Sequence, residues 1–289
     1  MDDAIARVRD RLGSLGSAIV YYPTIGSTND VAASVVASRS AEAFARRDVE
    51  GLVVVADEQT AGRGRRGRAW FSPPGSGLYV SVVLTTGRAR VDPARATMLL
   101  TLAAGVAIAE GVDAATGLAV DLKWPNDLFV GRRKLAGILA ESHRPVLDMP
   151  ERDGARASGV GVGPHASECD AVILGYGINV GPTAFPPEIA DRATSLASEL
   201  GRPIDRHQLF AETLAALARR YEDLLAGRFD AILDAWRRRA PAATGARVQW
   251  ATPSGRQSGI TDGIDDQGAL LVRVGDTVER IVGGELTWL

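Results

Sequence analysis

Between two apolar runs rich in β-branched residues, Leu52 to Ala56 and Leu78 to Leu84, the chain carries a long segment, Glu58 to Gly77, dominated by glycine, arginine and proline. Short apolar runs bounded by turn residues read as buried strands. Glycine and proline exclude regular structure between them. Any fold for this chain must therefore let a cationic loop leave one core strand and return to another.

The flanking elements alternate between strand and helix. Ile5, Val8 and Leu12 share one face of a helix predicted over Asp2 to Leu12. Ala18 to Tyr22 reads as a strand. Ser27, Thr28, Asn29 and Asp30 supply cap residues for a helix reaching Ser38. Pro93 sits at the first turn of a long Ala/Leu helix. Strands are predicted over Val120–Trp124, Asp127–Val130, Lys134–Ala140 and Ala171–Leu174, with helices over Glu188–Leu200, Arg206–Leu225 and Asp230–Arg239. Pro241 to Gly245 reads as a linker. Beyond it, β patterns at Arg247–Ala251, Gln257–Ile264, Ala269–Val274 and Val278–Val282 suggest a small barrel docked on the rest. The expected domains are therefore 1–240 and 246–289. Segment 142–170, rich in glycine, proline and charge, is expected to be a mobile insertion between two core strands.

Composition removes several classes of function. The net charge is −2, which leaves no bulk basic charge to attract nucleic acid. No apolar run is expected to approach the ~20 residues of a membrane span. The acidic N-terminus does not read as a signal peptide. Cys169 is the only cysteine, so no internal disulfide forms and a reducing, cytoplasmic compartment is expected. His143, His165 and His207 are not expected to make a zinc set with Cys169: His165 and Cys169, four apart, could share a helical face, but their segment reads as unstructured.

Three motifs carry chemistry. Gly62-Arg63-Gly64-Arg65-Arg66-Gly67 matches a dinucleotide pattern literally, but Pro73 and Pro74 follow too soon for the helix such a site needs. Its arginines, with Arg68, read either as a solvated basic loop, as a nucleic-acid loop, or as an anion clamp whose guanidinium forks match phosphate oxygens. Lys123-Trp124-Pro125-Asn126-Asp127 delivers a lysine at a strand end among apolar neighbours, where burial makes an unpaired ammonium costly and a phosphate a natural partner. Gly175-Tyr176-Gly177-Ile178-Asn179-Val180 follows a buried strand; its glycines allow close approach to a flat ligand, or simply make a turn.

Together with Gly26-Ser27-Thr28-Asn29, Gln59-Thr60-Ala61 and Lys134-Leu135-Ala136-Gly137-Ile138-Leu139, these segments resemble, in order and spacing, the signature segments of biotin–protein ligases over about residues 18 to 282. The resemblance implies an α+β fold: a central mixed β-sheet with helices packed on one side, plus a small C-terminal SH3-like β-barrel. It implies adenylation of biotin by ATP to biotinyl-5'-AMP with release of pyrophosphate, then transfer to the lysine of a biotin carboxyl carrier protein domain. Magnesium is expected to arrive on the ATP phosphates, with its protein ligands unassigned.

By the same resemblance, Lys123 and Arg65 are the catalytic cations. Ser27, Thr28, Asn29, Gln59, Gly62, Arg63, Lys123, Gly137, Gly175 and Gly177 are implied in biotin binding. Arg65, Arg66, Arg68, Trp70, Lys123, Asn126, Lys134 and Asn179 are implied in binding ATP or AMP. Because the Ser-Thr-Asn segment begins at Ser27, no N-terminal DNA-binding domain is expected, and the chain is expected to be a monomer or weak homodimer. Lipoate–protein ligase, which shares this fold and reaction type, is the nearest enzyme alternative. A non-catalytic biotin-binding sensor is the alternative of a different class.

Overall fold

The computed structural model describes residues 1–38, 49–143, 171–182, 184–252, 255–284 and 286–289. Residues 144–170 of the expected mobile insertion, with His165 and Cys169, lie outside the described residues.

Seven strands make a mixed sheet: β1 (Ala18–Ile25), β2 (Leu52–Gln59), β3 (Gly77–Leu84), β4 (Asp121–Lys123), β5 (Asp127–Val130), β6 (Arg133–His143) and β7 (Ala171–Asn179), in the order β1-β2-β3-β7-β6-β5-β4. Only β1 and β2 run parallel. Alternation along β2 decides what covers each face. Val53 and Val55 join the main core beneath helices α3 (Pro93–Thr116), α5 (Arg206–Leu225) and α6 (Phe229–Arg239). Leu52 and Val54 turn to the other face and meet Ala32 and Val36 of α2 (Thr28–Ala37). The long helices thus lie on one side as expected, while the short α2 covers the opposite face beside the loop. Helices α1 (Asp2–Val8) and α4 (Leu196–Leu200) complete the set.

α3 starts where its sequence says it should. The Asp92 carboxylate accepts from the Arg95 backbone N–H at 2.9 Å, and Gly117 closes the helix in the left-handed region at φ 77°. At 24 residues it is long and apolar enough to cross a membrane, which corrects the expectation that no segment approaches that length. Its apolar residues are instead those of a core helix: Leu99, Leu100, Val106, Ile108 and Val112 are buried.

A second, antiparallel sheet comprises β8 (Thr244–Thr252), β9 (Gly255–Ile264), β10 (Leu270–Val274), β11 (Thr277–Ile281) and β12 (Leu286–Trp288), in the order β11-β10-β9-β8-β12. It shares one core with the helices through Leu270, Val272 and Ile281. Trp124 Nε1 donates to the Gly268 carbonyl at 3.0 Å, and the Arg95 guanidinium donates to the Asp266 carbonyl at 2.8 Å.

Several boundaries differ from the sequence reading. β6 runs on to His143, so Ser142 and His143, expected in the mobile insertion, instead pair with Val172 and Ala171, and Thr244 and Gly245 of the expected linker open β8. Helix over Glu188–Leu200 shrinks to Leu196–Leu200, because Arg192 and Thr194 bond instead along Lys134 of β6 at 2.7 and 3.0 Å. Gly175 to Asn179 is not a turn but the second half of β7, paired on both sides by β3 and β6. β12 has no counterpart among the predicted strands; its partner β8 supplies the pairing that makes three residues a strand.

Candidate active site

The two sheets, α2 and the loop after β2 enclose a cleft of about 1040 Å³. Of the residues implied in ligand binding, all but Gly62 line it. Gly62 stands behind the wall, where a Cβ would meet Ser72 Oγ and the Trp70 carbonyl at 2.6 Å.

One end is the start of α2. The Thr28 backbone N–H donates to Gln59 Oε1 at 2.9 Å, and its hydroxyl donates to the same oxygen at 3.1 Å. Gln59 Nε2 in turn donates to Ser72 Oγ at 3.1 Å, tying β2 to the loop. The Ser81 hydroxyl donates to Asn29 Oδ1 at 2.5 Å, and Asn29 Nδ2 donates to Glu141 Oε2 at 2.7 Å. The amide of Asn29 is thereby fixed from both ends.

The floor is the β6–β7 pair. A Cβ on Gly175 would lie 2.2 Å from Asn29 Oδ1, and one on Gly177 would lie 2.4 Å from Trp70 Nε1. On Gly137 it would lie 3.1 Å from the same indole ring. Glycine at Gly175 and Gly177 is thus a matter of space: the Asn29 amide fills the room at Gly175, and the Trp70 ring covers Gly177 and Gly137 where side chains would stand. Its indole nitrogen is buried and has no hydrogen-bond partner among the described residues. Asn179 is buried at the end of β7 and donates to the Thr194 carbonyl at 2.9 Å, which leaves Oδ1 as the end facing a donor.

The arginine loop folds back on itself, with Gly64 N–H donating to the Arg68 carbonyl at 2.7 Å and Trp70 N–H to the Gly62 carbonyl at 2.8 Å. Arg66 turns the tip at φ 60°, a left-handed conformation that costs a non-glycine residue about 1–2 kcal/mol. Arg63 reaches Asp30 at 2.7 Å and Glu141 at 2.9 Å. Arg65 donates to Asn126 Oδ1 at 3.1 Å, and burial pulls its guanidinium below the ordinary arginine value while Asp127 opposes the shift.

Two lysines face each other across β4–β6 in different company. Lys134 pairs with Asp127 at 2.7 Å and lies over the Trp70 ring. Lys123 has no carboxylate within ion-pair distance among the described residues. Its ammonium rests 4.6 Å from the Phe129 ring and 5.2 Å from the Trp288 ring. Burial lowers its pKa from the ordinary lysine value, with Asp127 opposing and Lys134 and Arg132 adding to the fall.

Sequence reasoning missed Asp30, Ser81, Phe129, Glu141 and Trp288. Glu141 had a signal: it shares the face of β6 with Gly137 by strand alternation. Trp288 had none, because its strand was not legible.

A cleft that gathers cations, amide groups and an aromatic floor suits an enzyme that activates one anionic ligand with another. The chain matches the Biotin/lipoate A/B protein ligase family over residues 32–148. It is 34% identical to the bifunctional ligase/repressor BirA of Bacillus subtilis, over 94% of this chain and 74% of that protein. It is 31% identical to the biotin--[acetyl-CoA-carboxylase] ligase of Mycobacterium tuberculosis, over 98% of this chain and 94% of that one. The fold matches that of a biotin protein ligase from Aquifex aeolicus solved with biotin and ATP, at TM-score 0.72 and 24% identity, covering 94% of this chain and 99% of that chain. The chain belongs to the biotin/lipoate A/B protein ligase family, and within it to the biotin protein ligases.

Proposed function

We propose that this cleft activates biotin with ATP and hands it to the lysine of a biotin carboxyl carrier protein domain. The carrying observation is Lys123: a partly buried ammonium in the cleft with no carboxylate at ion-pair distance among the described residues. A lone cation there is complementary to an arriving anion, and two anions must meet for the reaction to proceed.

In the first step the biotin carboxylate attacks the α-phosphate and pyrophosphate leaves with its electron pair. Lys123 and Arg65 stabilise the charge that gathers as the new bond forms. Ser27, Thr28, Asn29 and Gln59 hold the biotin end. Gly137, Gly175 and Gly177 let the ligand lie close to the strands, and Asn179 accepts from the adenine amino group. Arg63, Arg66, Arg68 and Trp70 cover the bound adenylate and exclude water, which would otherwise hydrolyse the anhydride. The carrier's lysine then attacks the acyl carbon and AMP departs. Both nucleophiles come from substrates, so the chain supplies positioning and charge.

Among the described residues no three acidic, histidine or cysteine side chains gather into a metal cage. Magnesium carried on phosphates requires only one or two protein carboxylates. Asp121 lines the cleft, and burial alone raises its pKa. Asp127 lines the cleft as well but pairs with Lys134, so Asp121 is the residue that would hold the ion, which would supply charge neutralisation on the phosphates. Residues 1–240 would form the ligase domain and 246–289 a small barrel beside it. The net charge of −2 supports a protein that does not bind nucleic acid, and the single cysteine supports a reducing, cytoplasmic compartment.

Release of pyrophosphate on adding ATP, Mg²⁺ and biotin tests the reading, and lipoate in place of biotin tests its specificity. Release with lipoate alone would move the chain to the other half of the family.

A further inference from the structure

Phe129 and Trp288 come from different sheets, yet both rings face one ammonium. Lys123 Nζ lies 4.6 Å from the first ring centroid and 5.2 Å from the second. A carboxylate in either place would compensate for lost hydration, as Asp127 does for Lys134 at 2.7 Å, but would also neutralise the charge before substrate arrives. An aromatic face acts differently: its quadrupole attracts the cation and leaves the net charge intact.

Two contacts set Trp288 and Lys123 relative to each other. β12 pairs with β8, with Trp288 opposite Val248. Trp124, the residue next to Lys123, donates its indole N–H to Gly268 of the second sheet at 3.0 Å. The backbone that carries the lysine is therefore pinned to the sheet that carries the tryptophan.

We propose that Trp288, together with Phe129, is a positioning residue for adenylation: the two rings form a slot that holds the Lys123 ammonium unpaired at the point where carboxylate and phosphate meet. The C-terminal sheet then supplies one wall of the reacting centre. This rests on the assignment of Lys123 as the adenylation lysine.

The test is single-turnover pyrophosphate release by the full chain with ATP, Mg²⁺ and biotin. Trp288→Leu should slow release on the order of 10-fold, the range a desolvated cation–π contact commands. Trp288→Phe, which keeps a ring, should recover most of the rate. Phe129→Leu on the main sheet should give a similar loss, and it carries the test if the Trp288 variants fold poorly. The fall should appear in kcat, with the KM for biotin nearly unmoved. In a Lys123→Ala background, Trp288→Leu and Phe129→Leu should add nothing further. A full rate in both ring variants overturns the slot, and so does a loss that multiplies with Lys123→Ala. A native rate in Lys123→Ala alone would instead overturn the assignment of the lysine.

Discussion

On the floor of the cleft, Gly175 and Gly177 are fixed by ladder pairing to β3 on one side and β6 on the other. In the loop above, Arg63 and Arg65 are held chiefly through their side chains, by Asp30, Glu141 and Asn126. The floor cannot shift without breaking a sheet, whereas the loop can let go by exchanging ion pairs for water. Surface-exposed ion pairs are each worth ~0.2–1 kcal/mol, far less than a sheet. A ligand anion can therefore re-sort the loop's arginines, but it must conform to the floor. Lys123 belongs to the rigid side: β4 delivers it, and two rings hold it.

If rate enhancement comes from the rigid side, the largest effect should follow its cation. Lys123→Ala should slow pyrophosphate release by ~10²–10³, the range for losing one preorganised donor to developing charge. Thermal stability should scarcely change, since no carboxylate partner is left behind. A release rate within a few-fold of native would transfer the catalytic charge to Arg65 or Lys134.

Gly177→Ala attacks the floor itself. A Cβ there lies 2.4 Å from the Trp70 indole nitrogen, so the ring must lift. Overpacking of this kind costs about 1–3 kcal/mol. We expect the KM values for biotin and ATP to rise on the order of 10-fold for that cost, measured by steady-state kinetics. Unchanged binding would mean that Trp70 already leaves the strands when ligand enters.

Much of this contrast was legible in the sequence, and the illegible part has a physical cause. Arg63 to Arg68 announced a cationic loop, because composition alone forbids regular structure there. The lone lysine at Lys123 was legible because apolar neighbours make its charge costly. The strand expected over Ala171–Leu174 stops short of Gly175 to Asn179, because alternating glycines carry no strand propensity; pairing on both edges overrides it. Trp288 was invisible for a related reason. Three residues have no periodicity, and only β8 makes them a strand.

A pH profile separates the lysine from the arginines. Burial lowers the Lys123 pKa, against Asp127 and with Lys134 and Arg132, so its charge is lost below the ordinary lysine value of 10.5. Adenylation kcat/KM should therefore fall on the alkaline side before 10.5 is reached. The stability contribution runs the other way. Between the folded and unfolded pKa values the unfolded chain binds more protons, so this group's contribution to stability rises with pH. In Lys123→Arg the alkaline limb should disappear while the rate stays below native, because a planar fork replaces a compact ammonium. Persistence of the limb would assign it to another group.

The smallest effect should come from the loop's own anchor. Arg63 bonds Asp30 and Glu141 with 42% of its side chain exposed, so solvent screens both pairs. Arg63→Ala should therefore cost at most ~1 kcal/mol of loop closure, about a five-fold change in an equilibrium. That is too little to alter the fold but enough to read by limited proteolysis between Arg65 and Arg68. Cleavage without ligand should quicken by no more than that factor. Glu141→Ala should quicken it similarly and the double variant little further, since both remove one shared contact. With biotin and ATP present, all three proteins should resist cleavage, because the adenylate's charge then holds the remaining arginines. If Arg63→Ala instead proved as damaging as Gly177→Ala, the loop would be as rigid as the floor, and ligand entry would need a different opening.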